Sequence, residues 1–118
     1  MRYLIVFAAM LLTAPAQAEW TSADTAREAV YLGLHVADWG QTLSVPGNCD
    51  RYTETNPILG KCPSRGDVNR YFAITGAAHA AVAYLLPRPY REAWQYVWIG
   101  FEAHQVATNW QAGVRFNF

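Results

Sequence analysis

The sequence predicts an all-α fold: a small bundle of three main helices after a cleaved signal peptide, with a long loop between the first two. Three observations carry that reading. Apolar residues recur at helical spacing in three separate stretches. Each stretch is bounded by residues that start or stop helices. Apolar residues make up 53% of the chain and charged ones only 15%, so long runs of helix surface must go without charge.

At the N-terminus, Met1-Arg2 supplies a positive start, residues 3–12 form an uncharged apolar run, and Thr13-Ala14-Pro15 breaks it. Ala16-Gln17-Ala18 then places small residues where a signal peptidase cuts, leaving Glu19 as the new N-terminus. The apolar run is about ten residues, well short of the ~20 that a permanent spanning helix needs. The expected organisation is a signal peptide over 1–18 and a single helical domain over 19–118, long enough for one modest core. A secretory signal places the protein in the cell envelope, at the inner membrane or in the periplasm.

The first helix is expected from about 24 to 45. Ser22 or Asp24 serves as its cap, Ala26, Ala29, Val30, Leu34, Ala37 and Leu43 recur at roughly helical spacing, and Pro46-Gly47-Asn48 stops it. A loop rich in Gly, Pro, Asn, Thr and Ser follows, in which Asn56-Pro57 opens a single helical turn. Ser64-Arg65-Gly66-Asp67 fits a capping box, and a second helix is expected over about 67–86. Between Tyr71 and Leu86 it has no charged residue, which makes it the most membrane-like stretch and, at about twenty residues, long enough to span. Pro87-Arg88-Pro89 makes a tight turn, so the second and third helices are antiparallel neighbours. The third helix, about 90–112, shows one apolar stripe (Tyr96, Ile99, Ala103, Val106, Trp110), while Gln95, Glu102 and Asn109 lie seven residues apart on another. The tail, Val114-Arg115-Phe116-Asn117-Phe118, alternates and ends in Phe, as the last strand of an outer-membrane barrel does. A hundred residues cannot supply eight strands of about ten plus turns, so a barrel is set aside.

Nine basic residues balance nine acidic ones; without Arg2 the count is eight against nine. No basic stripe is present, which argues against a nucleic-acid partner. A surface so short of charge points to membrane lipid, or an envelope protein partner, as what covers it. Ionisable groups at bilayer depth cost ~2.5–3.5 kcal/mol each, so the first and third helices span only if their polar faces meet. The soluble alternative is a periplasmic three-helix bundle with the second helix at its centre. Two readings of Cys49 and Cys62 follow. In an oxidising compartment they close a short loop as a disulfide, contributing ~2–3 kcal/mol. But Arg51, Lys61, Arg65 and Arg70 outnumber Arg88 and Arg91, which in a spanning arrangement puts that loop in the cytoplasm and leaves free thiols.

The polar residues do not scatter. His35, Asp38 and Thr42 share one helix face, Glu102 and Asn109 another, His79 interrupts the most apolar helix, and Glu54 and Asn56 lie in the loop that caps the bundle. Mixed His/carboxylate sets suit Zn²⁺, Fe²⁺ or Mn²⁺, which makes Asp38, His79 and Glu102, with His35 beside them, candidate ligands of a divalent metal. The alternative is a hydrogen-bonded polar core that sets helix register. No H-E-x-x-H, E-x-x-H or nucleophile–base spacing appears, so no catalytic residue is assigned. His104 is expected on a helix surface.

The order Asp38-x-x-x-Thr42, Glu54-x-Asn56-Pro57 followed by Ile58-Leu59-Gly60, His79 in an apolar helix, Leu86-Pro87, Arg91, Glu102, Asn109 and Gly113 resembles a family of small bacterial multi-helix membrane proteins of unknown function. The resemblance spans about residues 34–115. It implies helices packed in a membrane around polar residues and carries no known activity. The signal-like start, the two cysteines and the polar third helix depart from it. The function expected from all this is that of a non-enzymatic envelope protein, membrane-embedded or membrane-associated, with an accessory or binding role. The competing expectations are a small metal-dependent membrane hydrolase using Asp38, His79 and Glu102, and a soluble periplasmic binding or inhibitor module.

Overall fold

The computed structural model describes residues 19–118, so the signal-peptide expectation lies outside the described residues. Three helices follow one another: α1 (Ser22–Thr42), α2 (Arg65–Leu85) and α3 (Tyr90–Gln111). No strand occurs among the described residues.

Local chemistry sets the ends. Thr21, not Ser22 or Asp24, caps α1: its hydroxyl accepts from the Asp24 N–H at 3.2 Å while the Asp24 carboxylate accepts from the Thr21 N–H at 2.8 Å. Asp24 is therefore the third helical residue of a reciprocal capping box. The same exchange joins Ser64 and Asp67, as the sequence motif implied, and so α2 opens at Arg65 rather than at Asp67. α1 ends at Thr42, before the Pro-Gly breaker, because Ser44 and Val45 already donate to Gln41 and Thr42 in a closing turn. In the loop beyond, Cys49 and Cys62 form a disulfide, with their Cα atoms 5.7 Å apart. Asn56 opens one turn there, its side-chain oxygen accepting from Ile58 and its carbonyl from Gly60.

Paired residues give the helix directions. Down α1, Glu28, His35 and Trp39 meet His79, Phe72 and Asn69 in turn, so α1 and α2 are antiparallel. Asp24, His35 and Asp38 meet Arg91, Glu102 and Asn109, so α1 and α3 are parallel. α1 packs most extensively on α3, and α2 leans against both. The second helix is therefore not the centre of the bundle.

The α1–α3 seam has coiled-coil spacing. Positions 24, 28, 31, 35, 38 and 42 step by four and three, as do 91, 95, 98, 102, 105 and 109. A coiled coil normally fills such positions with Leu and Ile; here they are mostly polar. Asp24, Glu28, His35, Arg91, Gln95 and Glu102 are all buried. Of the apolar stripes read from the sequence, Ala26, Ala29 and Val30 of α1 and Tyr96, Ala103 and Trp110 of α3 are exposed, Leu34, Ala37, Ile99 and Val106 are half-buried, and Leu43 is buried. Along the seam it is the polar face that turns inward. A conventional core exists only near the loop, where Leu43, Val68 and Phe72 gather Trp39, Leu59 and Tyr71.

No helix among the described residues is long and apolar enough to cross a membrane, which corrects the spanning expectation for the second helix. Its uncharged part is rich in Ala and Gly, whose hydropathy is modest, and its first turns carry Arg65, Asp67 and Arg70.

Arg91, counted above with the turn charges, lies inside α3 with 1% of its surface exposed. Its guanidinium donates to the carbonyls of Ala83 (2.8 Å) and Tyr84 (3.1 Å), two of the last-turn acceptors that α2 cannot satisfy itself. It also donates to Asp24 at 3.3 Å. Arg91→Ala is expected to lower unfolding free energy by about 3–5 kcal/mol in urea titrations, because a buried carboxylate and two helix-end carbonyls lose a donor together. A loss below ~1 kcal/mol would show that Arg91 does not join the helices.

Candidate functional site

The polar seam opens toward α2 and the loop into a cavity of about 790 Å³. All eight residues of the sequence-derived polar set (His35, Asp38, Thr42, Glu54, Asn56, His79, Glu102 and Asn109) line it. They divide into three groups with different partners.

The first group is centred on Glu102. His35 Nδ1 lies 2.9 Å from a Glu102 oxygen and His35 Nε2 lies 3.0 Å from the Phe72 carbonyl. Both of these neighbours accept, which favours a proton on each ring nitrogen; the hydroxyls of Tyr31 and Thr75 lie 3.3 and 3.1 Å from Nδ1 and Nε2. Burial alone lowers the imidazole pKa, but the hydrogen bond to Glu102, the Phe72 carbonyl and the charges of Glu102 and Asp38 outweigh it, and the net direction is upward. Gly76 allows α2 this close approach: a Cβ there would sit 3.2 Å from His35 Cδ2. One turn further along α1, Asp38 accepts from Asn109 at 3.2 Å and from Thr42 at 3.4 Å. Asn109 also donates to Gln41, whose own amide donates to the Val106 carbonyl. Burial pushes the Asp38 carboxyl up, and the charge of Glu102, a hydrogen bond to it and the charge of Glu54 push it further, to about 8. Burial and the neighbouring carboxylates thus favour the protonated acid at Asp38.

His79 forms the second group, away from the first. Its Nδ1 lies 2.6 and 3.0 Å from the two oxygens of Glu28, and its ring is stacked on Tyr31 with centroids 3.5 Å apart. Trp94 stacks on its other side at 5.3 Å. Tyr31 stands between the two histidines, stacked on His35 as well at 5.3 Å. The proposed metal trio of Asp38, His79 and Glu102 is corrected by this arrangement, since His79 takes Glu28 as its carboxylate. Among the described residues no group of three or more His, Cys, Asp or Glu could hold a metal ion.

The loop forms the third group. Glu54 accepts from the backbone N–H groups of Thr55 and Asn56 at 3.0 and 2.9 Å, so Glu54-x-Asn56-Pro57 is a self-bonded turn at the cavity's end. Its charge still reaches Asp38. His104 is exposed on α3.

Among the described residues two buried side-chain atoms have no hydrogen-bond partner: His79 Nε2 and Glu102 Oε2. Both residues line the cavity, together with an aromatic wall of Tyr31, Phe72, Trp94, Trp98 and Phe101. Sequence reasoning missed Glu28, Tyr31 and Gln41. The four-and-three spacing from Asp24 to Thr42 is the signal that would have found Glu28 and Tyr31. Gln41 lies outside that spacing and carried none.

Comparison with protein-family models, with curated proteins and with solved structures finds no match for this chain.

The pH dependence of stability follows from these groups. The Asp38 carboxyl has an ordinary value of 3.8 and keeps its proton to about 8 when folded. Between those values the folded state binds the extra proton, so stability falls as pH rises, by at most ~1.4 kcal/mol per pH unit. His35 adds to this: its stabilisation is complete below its ordinary 6.5 and is lost as pH rises through its higher folded value. Asp24 acts oppositely. Burial raises its pKa, but the Thr21 N–H and hydroxyl and the Arg88 guanidinium more than reverse that, so its stabilisation is lost only on acidification below its ordinary 3.8. Urea unfolding should therefore show highest stability near pH ~4 and a decline toward pH ~8. Asp38→Asn should flatten most of that decline; a parent profile already flat over this range would mean that Asp38 is ionised.

Proposed function

We propose that this protein is a non-enzymatic binding component of the cell envelope, a lipid-associated helical bundle that holds a small ligand between its helices. The observation that carries the reading is the cavity itself: about 790 Å³, walled by aromatic rings and lined by a few polar side chains. Ligand sites have this size and this mixture of apolar wall and few convergent polar groups.

Association with lipid is supported by the outer faces. From 29 to 37 on α1, 73 to 85 on α2 and 93 to 103 on α3, no charged side chain is exposed. Val30, Ile74 and Val97 instead stand exposed, Val97 at 66%. A partner protein covers one side of a bundle, whereas lipid covers all of them. At 1.5 Å per residue these bands are only about 12–18 Å tall, against a hydrocarbon core of about 30 Å, which favours seating in one leaflet's surface over passage through the bilayer. The disulfide agrees with an oxidising compartment. The resemblance to small multi-helix membrane proteins points to the same setting.

Two measurements test the reading. Purified protein should float with phospholipid vesicles and resist release by salt, and Cys49 and Cys62 should take a thiol-reactive mass tag only after reduction. Release by salt alone would instead favour the soluble periplasmic module. Titration with the neutral dye Nile red should show saturable one-to-one binding that weakens about tenfold or more in Ala78→Trp, whose indole fills the cavity. Equal binding by that variant would mean that the dye sits on the outer faces and the cavity reading is wrong.

A further inference from the structure

We infer that the ligand of this cavity is a single-chain amphiphile with an uncharged, hydroxyl- or amide-bearing head, its head at the loop end and its tail against Trp94 and Trp98. The inference names the ligand class for the binding reading above and rests on that reading.

The cavity is a wedge. α2 and α3 come together at their shared turn, where Arg91 donates to Ala83 and Tyr84 and the Trp94 Nε1–H donates to the His79 carbonyl at 3.2 Å. Further from the turn His35 of α1 reaches both, meeting the Phe72 carbonyl of α2 and Glu102 of α3. The loop from Arg51 to Leu59 lines the wide end. Ala78 of α2 and Phe101 of α3 line the cavity and are also exposed, so it opens sideways within the uncharged bands of both helices.

The lining changes character along the wedge. Val82, Trp94, Trp98 and Phe101 make the narrow end apolar. The nearby Trp94 Nε1 and His79 Nδ1 are already engaged, by the His79 carbonyl and by Glu28. At the loop end Tyr52, Tyr71 and Gln105 line the cavity, and among the described residues their side chains make no hydrogen bond. The charged groups there are committed. Glu54 accepts from two backbone N–H groups, Asp38 from Asn109 and Thr42, and Glu102 stands beside His35. Arg51 is exposed over the Tyr52 ring, 5.6 Å from its centroid. A charged head must break one of these pairings or stay unpaired, at a cost. Phenol and amide groups instead offer both donors and acceptors, which suit a hydroxyl or an amide.

The outer surface runs the same way. At the loop end Asp50, Arg51, Lys61, Arg65, Asp67 and Arg70 are all exposed. Around the α2–α3 turn, Glu19 excepted, Arg27, Arg88 and Glu92 are half-buried and tied to one another or to Asp24. Tyr84, Leu85 and Tyr90 stand exposed beside them. A bundle seated in one leaflet therefore keeps its loop end in water and its turn in the hydrocarbon. An amphiphile in that leaflet lies with its head and tail in the same sense as the two ends of the cavity.

Three probes that share one chain and differ in the head test the inference: 1-decanoylglycerol, decanoate and decylammonium, each in competition with Nile red. Decanoylglycerol should displace the dye at one-to-one stoichiometry and bind about tenfold or more tightly than either ion at pH ~7. Gln105→Leu should narrow that preference severalfold, since it removes a head-group partner at similar volume. A bromine at the far end of the decanoyl tail should quench tryptophan fluorescence. That quenching should largely vanish in Trp94→Phe/Trp98→Phe at ligand concentrations that displace all of its Nile red. Quenching that persists in the saturated variant places the tail elsewhere and overturns the inference. If either ion binds as tightly as decanoylglycerol, or if Nile red binds and decanoylglycerol does not displace it, the inference falls and the binding reading stands. If neither Nile red nor any of the three probes binds, both fall.

Discussion

One carboxylate holds the three helices in their arrangement. Asp24 closes the capping box of α1 and accepts from Arg27 beside it, from Arg88 in the turn and from Arg91 in α3. Arg91 in turn takes up the open carbonyls at the end of α2. Gln95 extends the node, receiving Arg27 and donating to the Asp24 carbonyl. A fully buried charge is tolerable only with such a set of donors, because moving it out of water otherwise costs several kcal/mol. From this end, the parallel register of α1 on α3 follows: Asp24 to Arg91 and His35 to Glu102 are each 67 residues apart.

The same constraint, that buried polar groups must find partners, shapes everything beyond the node. Along the seam the partners change from arginine and amide to histidine and carboxylate, then to amide and carboxyl. Each is a specific pair rather than a general apolar contact, so register is set by hydrogen-bond geometry where a Leu-rich seam would set it by volume. The apolar side chains that would ordinarily fill the interior face outward instead. The polar interior is thus tied to the exterior: apolar side chains are left on the outer faces, and a polar interior that is not fully packed leaves a cavity. The two parts of the proposed function are consequences of one inversion.

The seam also explains why two histidines of similar sequence context differ. His35 sits between two acceptors, the Glu102 carboxylate and the Phe72 carbonyl; His79 has one carboxylate, Glu28, and a buried nitrogen with no hydrogen-bond partner. Tyr31, stacked on both, keeps them apart and keeps Glu28 and Glu102 from sharing a single imidazole. The cavity is therefore lined by two separate His–carboxylate pairs and not by one shared cluster.

Much of the fold was legible from local signals. Ser64 and Asp67 announced the start of α2, Asn56-Pro57 a single turn, and Pro87-Arg88-Pro89 the reversal before α3, because caps and breakers act through neighbours in the chain. The polar set was legible too, since polar residues repeating at helical spacing leave few places to go, and all eight line one cavity. Which residues meet across the seam was not legible. Helical period marks a face but not its partners, and Asp24, His35 and Asp38 find theirs some seventy residues away. For the same reason His79 was grouped with Asp38 and Glu102 when its carboxylate is Glu28, and Arg91 was read as a turn charge when it is the donor that ties α2 to α1. The sequence by itself determined where the helices run and which residues must be paired. The tertiary structure alone decided who pairs with whom, because the cost of burying a charge is settled by a partner that only the packed helices bring near.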